Sequence, residues 1–482
     1  MSGEPRGMAN AKHDFRSAAA EALADRSLQK ALLNVKRGFV SKRAAAKAKL
    51  PEFDTLREEA RAIKDHTLSH LDLYLEAYER KVIESGGEVH YAPVAADARA
   101  IVLRLCEQAG AKLVTKGKSM VSEEIGLNEH LQAAKIDVVE TDLGEYIVQL
   151  RGERPSHIIA PVIHLNKETI EQEFRRKHAR LPRERRLDRA EFLVAEARVL
   201  LREKFLAADV GITGANLLIA ETGSSVIVTN EGNGGLTSTL PRMHIVIASI
   251  EKLVPTLEDA STILRLLARS ATGQEITTYT SLFTGPRREG DADGPTAYHV
   301  VLLDNGRSEM LGNEFADMLR CIRCGACLNH CPVYGAIGGH AYGSIYPGPM
   351  GAVLTPQLVG IDHARDLPHA SSFCGRCEAV CPMEIPLPDM MRAWRERDYA
   401  RGNPPRFERL VLKLWAFAAK RPRLYHALAG AMARYLARRA GGRGRLSRLP
   451  LMQAWTEVRD LPAPQGKTFQ QLFARSMRKD AR

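Results

Sequence analysis

The chain has 482 residues, of which 45% are hydrophobic and 26% are charged, a composition that excludes a wholly disordered, collagen-like or fibrous protein. The net charge of +12 comes from residues 401–448, which contain thirteen Lys or Arg and one acidic residue, Glu408. A general nucleic-acid-binding surface would spread its charge more widely, so this pattern weighs against one.

Residues 1–92 are predicted to be mostly helical. Apolar residues recur at helical spacing from Phe53 to Val82, and two glycines at 86–87 end the pattern. No apolar segment of the secretory type follows Met1, so we expect no signal peptide and a cytoplasmic location. Clustered cysteines in a long intracellular chain indicate metal binding rather than disulfides.

Residues 93–304 alternate between predicted helices and strands, which indicates an α/β domain with a largely buried sheet. Residues 215–220 and 225–229 flank a turn signal and are predicted to form a hairpin. Further strands are predicted at Lys112–Val114, Ile136–Glu140, Met243–Ile250, Tyr279–Thr284 and Ala297–Leu303. Helices are predicted at Ala96–Ala109, with Cys106 as a small buried residue, and at Met120–Leu131, Phe192–Leu206 and Thr256–Ala268.

Lys118 and Ser119 lie in a predicted loop before the helix that starts at Met120. A lysine at a helix N-terminus can bind a carboxylate, so these two residues are a candidate anion site. Ordinary capping of the helix by Ser119 or Ser122 is the alternative. Residues 231–235 lack the G-x-G-x-x-G spacing of a dinucleotide site, and no bound NAD or flavin is predicted.

Seven of the eight cysteines lie between Cys321 and Cys381. The first motif, CIRCGACLNHCP at residues 321–332, has the C-x2-C-x2-C-x3-C-P spacing of iron–sulphur ferredoxins. In that pattern the first three thiolates bind one cluster, and the fourth cysteine, which precedes a proline, binds the other. Zinc sites typically pair two C-x2-C segments, so the spacing favours iron.

The second motif, CGRCEAVCP at residues 374–382, provides the reciprocal set. The predicted ligands of one [4Fe–4S] cluster are Cys321, Cys324, Cys327 and Cys381. The predicted ligands of the other cluster are Cys331, Cys374 and Cys377. A full motif would place an eighth cysteine at position 371, where this chain has Ser371. Three alternatives follow: Ser371 or another oxygen completes a [4Fe–4S] cluster, an open iron site binds an external ligand, or the second cluster is [3Fe–4S].

Residues 329–361 contain no Asp, Glu, Lys or Arg, but they include seven Gly and four Pro. So many helix breaks exclude a lipid-exposed span. We expect a buried or interface-facing irregular loop, with a partner-binding surface as the alternative. Two adjacent clusters beside it indicate an electron relay.

Residues 405–440 are predicted to form two basic amphipathic helices, and the apolar run Leu410–Ala419 is too short to span a bilayer. The basic segment 401–448 has three interpretations. It docks an acidic partner subunit, makes peripheral contact with anionic membrane lipids, or is a solvated helical surface.

The order of these motifs resembles the lactate utilisation protein B family of bacteria. The resemblance is carried by CIRCGACLNHCPVY (321–334), GGHAYG (338–343), YPGP (346–349), the second cysteine motif, IPLP (385–388) and RDLPAP (459–464). Upstream, KSM (118–120) with two glutamates at 123–124, and ETG (221–223) with EGN (231–233), resemble the lactate-utilisation domain. The family pattern also lacks the eighth cluster cysteine.

The predicted elements and this resemblance together indicate an α+β multidomain protein. Its expected parts are an N-terminal helical region (1–92), a lactate-utilisation α/β domain (93–304), a helical two-cluster ferredoxin domain (305–395) and a basic helical C-terminal region (396–482). The resemblance implies that the α/β domain is similar to the sugar-phosphate isomerase and CoA-transferase superfamily.

The resemblance also implies an electron-transfer subunit, without stand-alone activity, of a cytoplasmic three-protein system that oxidises L-lactate to pyruvate. Electrons would pass through two [4Fe–4S] clusters toward the respiratory chain, and oxidation would take place in a partner or in the α/β domain. One alternative is the iron–sulphur subunit of another 2-hydroxyacid or quinone-linked dehydrogenase. Another is a cluster-bearing regulatory or nucleic-acid-binding protein, against which the confined charge argues.

Overall fold

The computed structural model describes residues 13–182, 184–449, 456 and 459–480. These residues form two units, a body that ends at Asp398 and a C-terminal unit that begins at Tyr399. The strands are β1 (Glu88–Ala92), β2 (Leu113–Gly117), β3 (Asp137–Glu140), β4 (Val210–Thr213), β5 (Leu217–Ile219), β6 (Ser224–Thr229), β7 (Met243–Ser249), β8 (Leu253–Val254), β9 (Tyr279–Phe283), β10 (Ala297–Leu303), β11 (Arg445–Leu446) and β12 (Leu461–Pro462).

Helices account for most of the remaining regular structure. They are α1 (Phe15–Ala24), α2 (Arg26–Val35), α3 (Ser41–Ala48), α4 (Phe53–Ser69), α5 (Leu71–Glu84), α6 (Ala95–Gln108), α7 (Met120–Glu124), α8 (Leu127–Ala133), α9 (Leu143–Arg151), α10 (Lys167–Lys177), α11 (Ala190–Ala207), α12 (Asn233–Thr239), α13 (Leu257–Ala271), α14 (Ala326–His330), α15 (Tyr334–Ile337), α16 (Gly348–Val359), α17 (Arg376–Ala379), α18 (Leu387–Ala400), α19 (Arg406–Ala419), α20 (Pro422–Ala440) and α21 (Phe469–Asp480).

Six parallel strands form the main sheet of the body, in the order β1-β10-β7-β4-β2-β3. Buried cores lie on both faces of this sheet, and its inner strands are accordingly almost continuously apolar, as in β10 (AYHVVLL). From β2 the chain adds β3 on one side and then β4 on the other. The carboxyl ends of β2 and β4 therefore border a topological switch point, which is where open α/β sheets bind ligands.

The predicted hairpin is confirmed, since β5 pairs antiparallel with β6 in a second, four-stranded sheet of order β8-β5-β6-β9. The single helix predicted at 120–131 is wrong. It is two helices, α7 and α8, because Gly126 takes a left-handed conformation with φ of +65° between them. Strand β1 pairs with β10, so the main sheet includes a strand from the predicted N-terminal region. Cys106 is buried on α6, as predicted.

The N-terminal helices share a hydrophobic core with the cysteine-rich region. Phe53 of α4 belongs to the same buried cluster as Leu328 and Trp394. Gln29 of α2 donates a hydrogen bond to the carbonyl oxygen of Ala336 at 2.7 Å. Amphipathic spacing predicted these helices but carries no information about what their apolar faces cover.

The uncharged stretch 329–361 is largely buried, as expected, but it is not irregular throughout. Residues 348–359 form α16, a twelve-residue helix that contains Pro356. A Cβ added at Gly351 would lie 1.5 Å from the carbonyl oxygen of Tyr346, so only glycine allows this helix to begin against the preceding turn. The helix pairs backbone groups that would otherwise be buried without partners.

In the C-terminal unit, α19 and α20 confirm the two helices predicted between residues 405 and 440. Helix α19 buries none of its residues, and the exposed fractions of Phe407, Leu414 and Trp415 are 77%, 61% and 64%. Among the helices in the described ranges, none combines the length and the hydropathy that crossing a membrane requires.

Candidate metal centre and neighbouring cavity

Four cysteines from the two motifs line one small cavity of about 20 Å³. They are Cys321, Cys324, Cys327 and Cys381. The loop of the first motif turns at Arg323 and Gly325, whose φ angles are +59° and +72°. The structure therefore brings together the four residues that the motif spacing assigns to one cluster.

Backbone N–H groups point at the thiols of this set. The N–H of Ala326 donates to Cys324, and those of Met383 and Ile385 donate to Cys381. Burial raises the pKa of Cys324 to about 12 and that of Cys381 to about 11. Buried sulphur atoms around one cavity, with N–H donors directed at them, fit the soft donor set of an iron–sulphur cluster.

The other three motif cysteines form a second set. Cys331 is buried and accepts a hydrogen bond from the N–H of Tyr334, with an N–S distance of 3.5 Å. Burial raises the pKa of Cys377 to about 12, and the neighbouring Cys331 and Cys374 add to this effect. Cys374 is exposed, so this set lies nearer to solvent than the first.

Two serine hydroxyls lie at the start of the second motif. Ser371 accepts a hydrogen bond from the N–H of Phe373 at 3.1 Å. The side chain of Ser372 hydrogen-bonds to the Cys374 thiol. Ser371 stays a predicted ligand, and Ser372 is a second hydroxyl beside this set that motif spacing does not indicate.

Two arginines of the N-terminal helices contact the second motif. Arg57 of α4 donates from Nε and Nη2 to the carbonyl oxygen of Cys381, at 3.1 and 2.8 Å. Arg43 of α3 donates from Nη2 to the carbonyl oxygen of Val380 at 2.8 Å. Neither arginine was predicted, because each lies more than three hundred residues from its acceptor and no local pattern marks it.

A cavity of about 510 Å³ lies at the carboxyl edge of the main sheet, lined by the loops that follow β2, β3 and β4. Lys118 lines it and forms ion pairs with Asp142 and, at 3.8 Å, with Glu231. Ser119 caps α7 by accepting a hydrogen bond from the N–H of Ser122 at 3.2 Å, which is the capping alternative. The anion site at Lys118 and Ser119 stays a prediction.

A buried network of charges borders the same cavity. Arg307 donates to both carboxylate oxygens of Glu124, at 2.9 and 2.7 Å, and the Tyr346 hydroxyl donates to Glu124 at 2.7 Å. Glu251 forms ion pairs of 3.1 Å with Arg307 and with Arg323 of the first cysteine motif. Burial alone would raise the pKa of Glu251, but the charges of Arg307, Arg323 and Lys252 hold it at about 2.

Three family models match successive parts of the chain. The LUD domain matches residues 75–303, the 4Fe-4S dicluster domain matches residues 317–385, and the model described as Lactate utilisation protein B, C-terminal, matches residues 383–478. These matches confirm the predicted α+β order of a lactate-utilisation domain followed by a ferredoxin-type domain. With the two cysteine sets, they define an iron–sulphur protein of the electron-transport class.

The relatives narrow this class to one family. Lactate utilization protein B of Geobacillus sp. (strain WCH70) is 44% identical over 436 residues, which are 90% of this chain and 91% of the relative. The "Uncharacterized electron transport protein YkgF" of Escherichia coli (strain K12) is 42% identical over 462 residues, 95% of this chain and 96% of the relative. The chain belongs to the lactate utilisation protein B family.

A solved structure, that of a DUF162 family protein from Deinococcus radiodurans, matches 48% of this chain and 98% of its own. Its sequence identity is 14% and its TM-score 0.27, a likeness too weak to define the fold.

Proposed function

We propose that this chain relays electrons released by the oxidation of L-lactate to pyruvate through two [4Fe–4S] clusters toward the respiratory chain. The observation that carries the proposal is the gathering of seven cysteines from two separate motifs into two sets within one body. The sets are neighbours, because α14, which carries Cys327, packs against α17, which carries Cys377. A purely structural metal site would need only one of the two cysteine sets.

In this proposal the first cluster is bound by Cys321, Cys324, Cys327 and Cys381. The second is bound by Cys331, Cys374 and Cys377, with Ser371, another oxygen or an external ligand in the fourth position. Clusters of this type supply one-electron redox chemistry when bound. The protein supplies buried thiols, N–H donors that stabilise thiolates, and the arginine contacts that fix the second motif.

The names of the relatives support the substrate and the role, since they describe lactate utilisation and electron transport. We infer that the chain is one subunit of a multi-protein system in the cytoplasm and passes electrons through its partner subunits to a respiratory acceptor. Lactate is oxidised either in a partner or in the α/β domain of this chain.

The test is the iron and acid-labile sulphide content of anaerobically purified protein, with EPR spectra before and after reduction. We expect about eight iron per chain and two reduced [4Fe–4S] signals. Cys324→Ser should remove one signal and Cys377→Ser the other, whereas Cys106→Ala, at a buried cysteine outside the motifs, should remove neither. About seven iron would make the second cluster [3Fe–4S], and zinc in place of iron would contradict the relay.

The substrate is tested separately, by adding L-lactate to the protein together with its partner subunits and following reduction of the EPR signals. Reduction by L-lactate is the expected result. Reduction only by a different 2-hydroxyacid would leave the relay intact but make the lactate assignment wrong.

A further inference from the structure

Two cations from different parts of the body line the cavity at the carboxyl edge of the main sheet. Lys252 follows β7, and Arg323 lies between Cys321 and Cys324 in the first cysteine motif; both line the cavity. The charge of Arg323 acts on Lys252, as do the charges of Glu251 and Cys321. The cavity therefore reaches the loop that carries the first set of cysteines.

Both cations have unused hydrogen-bonding capacity. Lys252 is 5% exposed, and within the described part of the chain no group accepts a hydrogen bond from its ammonium. Arg323 donates from Nη2 to Glu251 at 3.1 Å, but its buried Nη1 has no partner among the described residues. Buried donors of this kind are costly when they are left without acceptors, and an anion in the cavity would supply acceptors.

The surrounding charges do not cancel these two. The buried cations of this group are Lys64, Lys252, Arg307 and Arg323, and the buried anions are Glu124 and Glu251. Glu124 is already matched by two hydrogen bonds from Arg307. Apart from the cysteines, this group therefore has more cations than anions, and Lys252 and Arg323 are the two of its cations that line the cavity.

The rest of the cavity wall is less suited to an anion. Lys118 is paired with Asp142 and Glu231, and Glu145 is a third carboxyl group lining the same wall. Asp142 and Glu231 already offset the charge of that ammonium and would repel a carboxylate. Within this cavity, the position that favours an anion is therefore that of Lys252 and Arg323.

We propose that Lys252 and Arg323 bind the carboxylate of a small 2-hydroxy or 2-oxo acid in this cavity, beside the first set of cysteines. The class of ligand rests on the proposed function, because a lactate-oxidising system handles such acids. The position rests on a cavity at the topological switch point whose wall contains two cations with unsatisfied hydrogen-bond donors. The site would place a substrate or product next to the loop of the first motif.

The experiment is isothermal titration calorimetry of the anaerobic, iron-loaded protein with L-lactate, pyruvate, inorganic phosphate and lactamide, a neutral analogue of lactate. We expect L-lactate or pyruvate to bind and lactamide not to bind. Lys252→Met should weaken carboxylate binding at least about tenfold, because it removes a charged hydrogen-bond donor and keeps the length of the side chain. Lys252→Arg, which keeps the charge, should restore part of the affinity.

Two further variants locate the site. Lys49→Met, at an exposed lysine paired with Glu275, should bind as the wild type does. Lys118→Met should weaken binding less than Lys252→Met, and the reverse order would overturn the proposal. So would binding of phosphate but not of carboxylate, or the absence of any binding to the wild type.

Iron content and EPR spectra of the same samples separate this proposal from the proposed function. Normal clusters without carboxylate binding would overturn the site and leave the relay standing. Carboxylate binding that depends on Lys252, in a protein without the two clusters, would support the site and contradict the relay.

Discussion

Arg57 links the N-terminal helices to Cys381, the cysteine of the second motif that lines the first cavity together with three cysteines of the first motif. Its side chain is 15% exposed, and two of its three hydrogen bonds end on the carbonyl oxygen of Cys381, while the third ends on Asp54. That carbonyl belongs to a residue whose thiol lines the first cavity, so the arginine fixes the backbone from which the thiol projects. Arg57 is a positioning residue in this sense.

We expect Arg57→Ala to lower the free energy of unfolding by about 1.5–3 kcal/mol, the usual contribution of hydrogen bonds from a charged donor. Iron should also leave the first cluster faster in the presence of a chelator, as the decay of its EPR signal will show. Arg61→Ala, one turn further on the same helix, is the matched control, because Arg61 is half-exposed and its ion pair with Glu384 contributes little. Equal rates of iron loss in the two variants would contradict the role of Arg57.

At the scale of residues, the sequence predicts those functional residues that are identified by their spacing within a motif. It does not predict residues whose role depends on contacts formed only in the folded protein. The cysteine sets follow from intervals of two and three residues within each motif. Arg57 and Lys252 have no such interval, since each meets its neighbours only after the chain has folded. Lys118 was found because it precedes a helix, but spacing alone cannot show that carboxylates from two other loops already surround it.

Among the elements, periodicity predicted most helices and strands, and the errors have local causes. Gly126 divides one predicted helix into two, because a left-handed residue cannot continue a helix. Helix α16 was missed because its glycines and prolines are typical of loops. Burial overrides that preference, since a buried segment must pair its backbone groups and a helix does so locally.

Helices α19 and α20 present large apolar side chains beside basic ones. Phe407, Trp415 and Tyr425 are all exposed, and arginines flank them along both helices. Exposed aromatic residues with arginine are typical of protein interfaces, so docking of a partner subunit stays the first prediction for this segment.

We expect Trp415→Asp to weaken association with the partner subunits about thirtyfold, because it places a charge in the apolar surface. The measurement is biolayer interferometry with the purified partners. Ala416→Ser on the same helix is the control and should change little.

Sedimentation of the wild type with vesicles of phosphatidylglycerol, if it decreases as salt is raised, would instead support the membrane interpretation.

Across the body, the largest hydrophobic core joins the N-terminal helices, the four-stranded sheet and the cysteine-rich region. Five of the motif cysteines are buried members of this core. The linear order of domains was predictable from the sequence. The packing of the N-terminal helical region on the ferredoxin domain was not predictable, because it depends on contacts between segments about three hundred residues apart.

Removal of iron should therefore loosen distant parts of the body together. After anaerobic chelation under reducing conditions, we expect hydrogen exchange to increase in α2, α3 and α4 as well as in the cysteine loops. Strand β2 and helix α6, which belong to a different core, serve as internal controls and should stay protected. Unchanged exchange in α4 would show that the helices fold without the metal centre.

The pairing of β1 with β10 also has a consequence for biosynthesis. The two strands are hydrogen-bonded neighbours, yet about two hundred residues separate them in the chain. At roughly 5–20 residues per second, a ribosome needs on the order of 10–40 s to make that interval. During this time β1 has no strand to pair with. The helices before β1 lack their packing partner for longer, because the cysteine-rich region is synthesised after β10. Folding of the body is thus completed only after nearly four hundred residues have been translated.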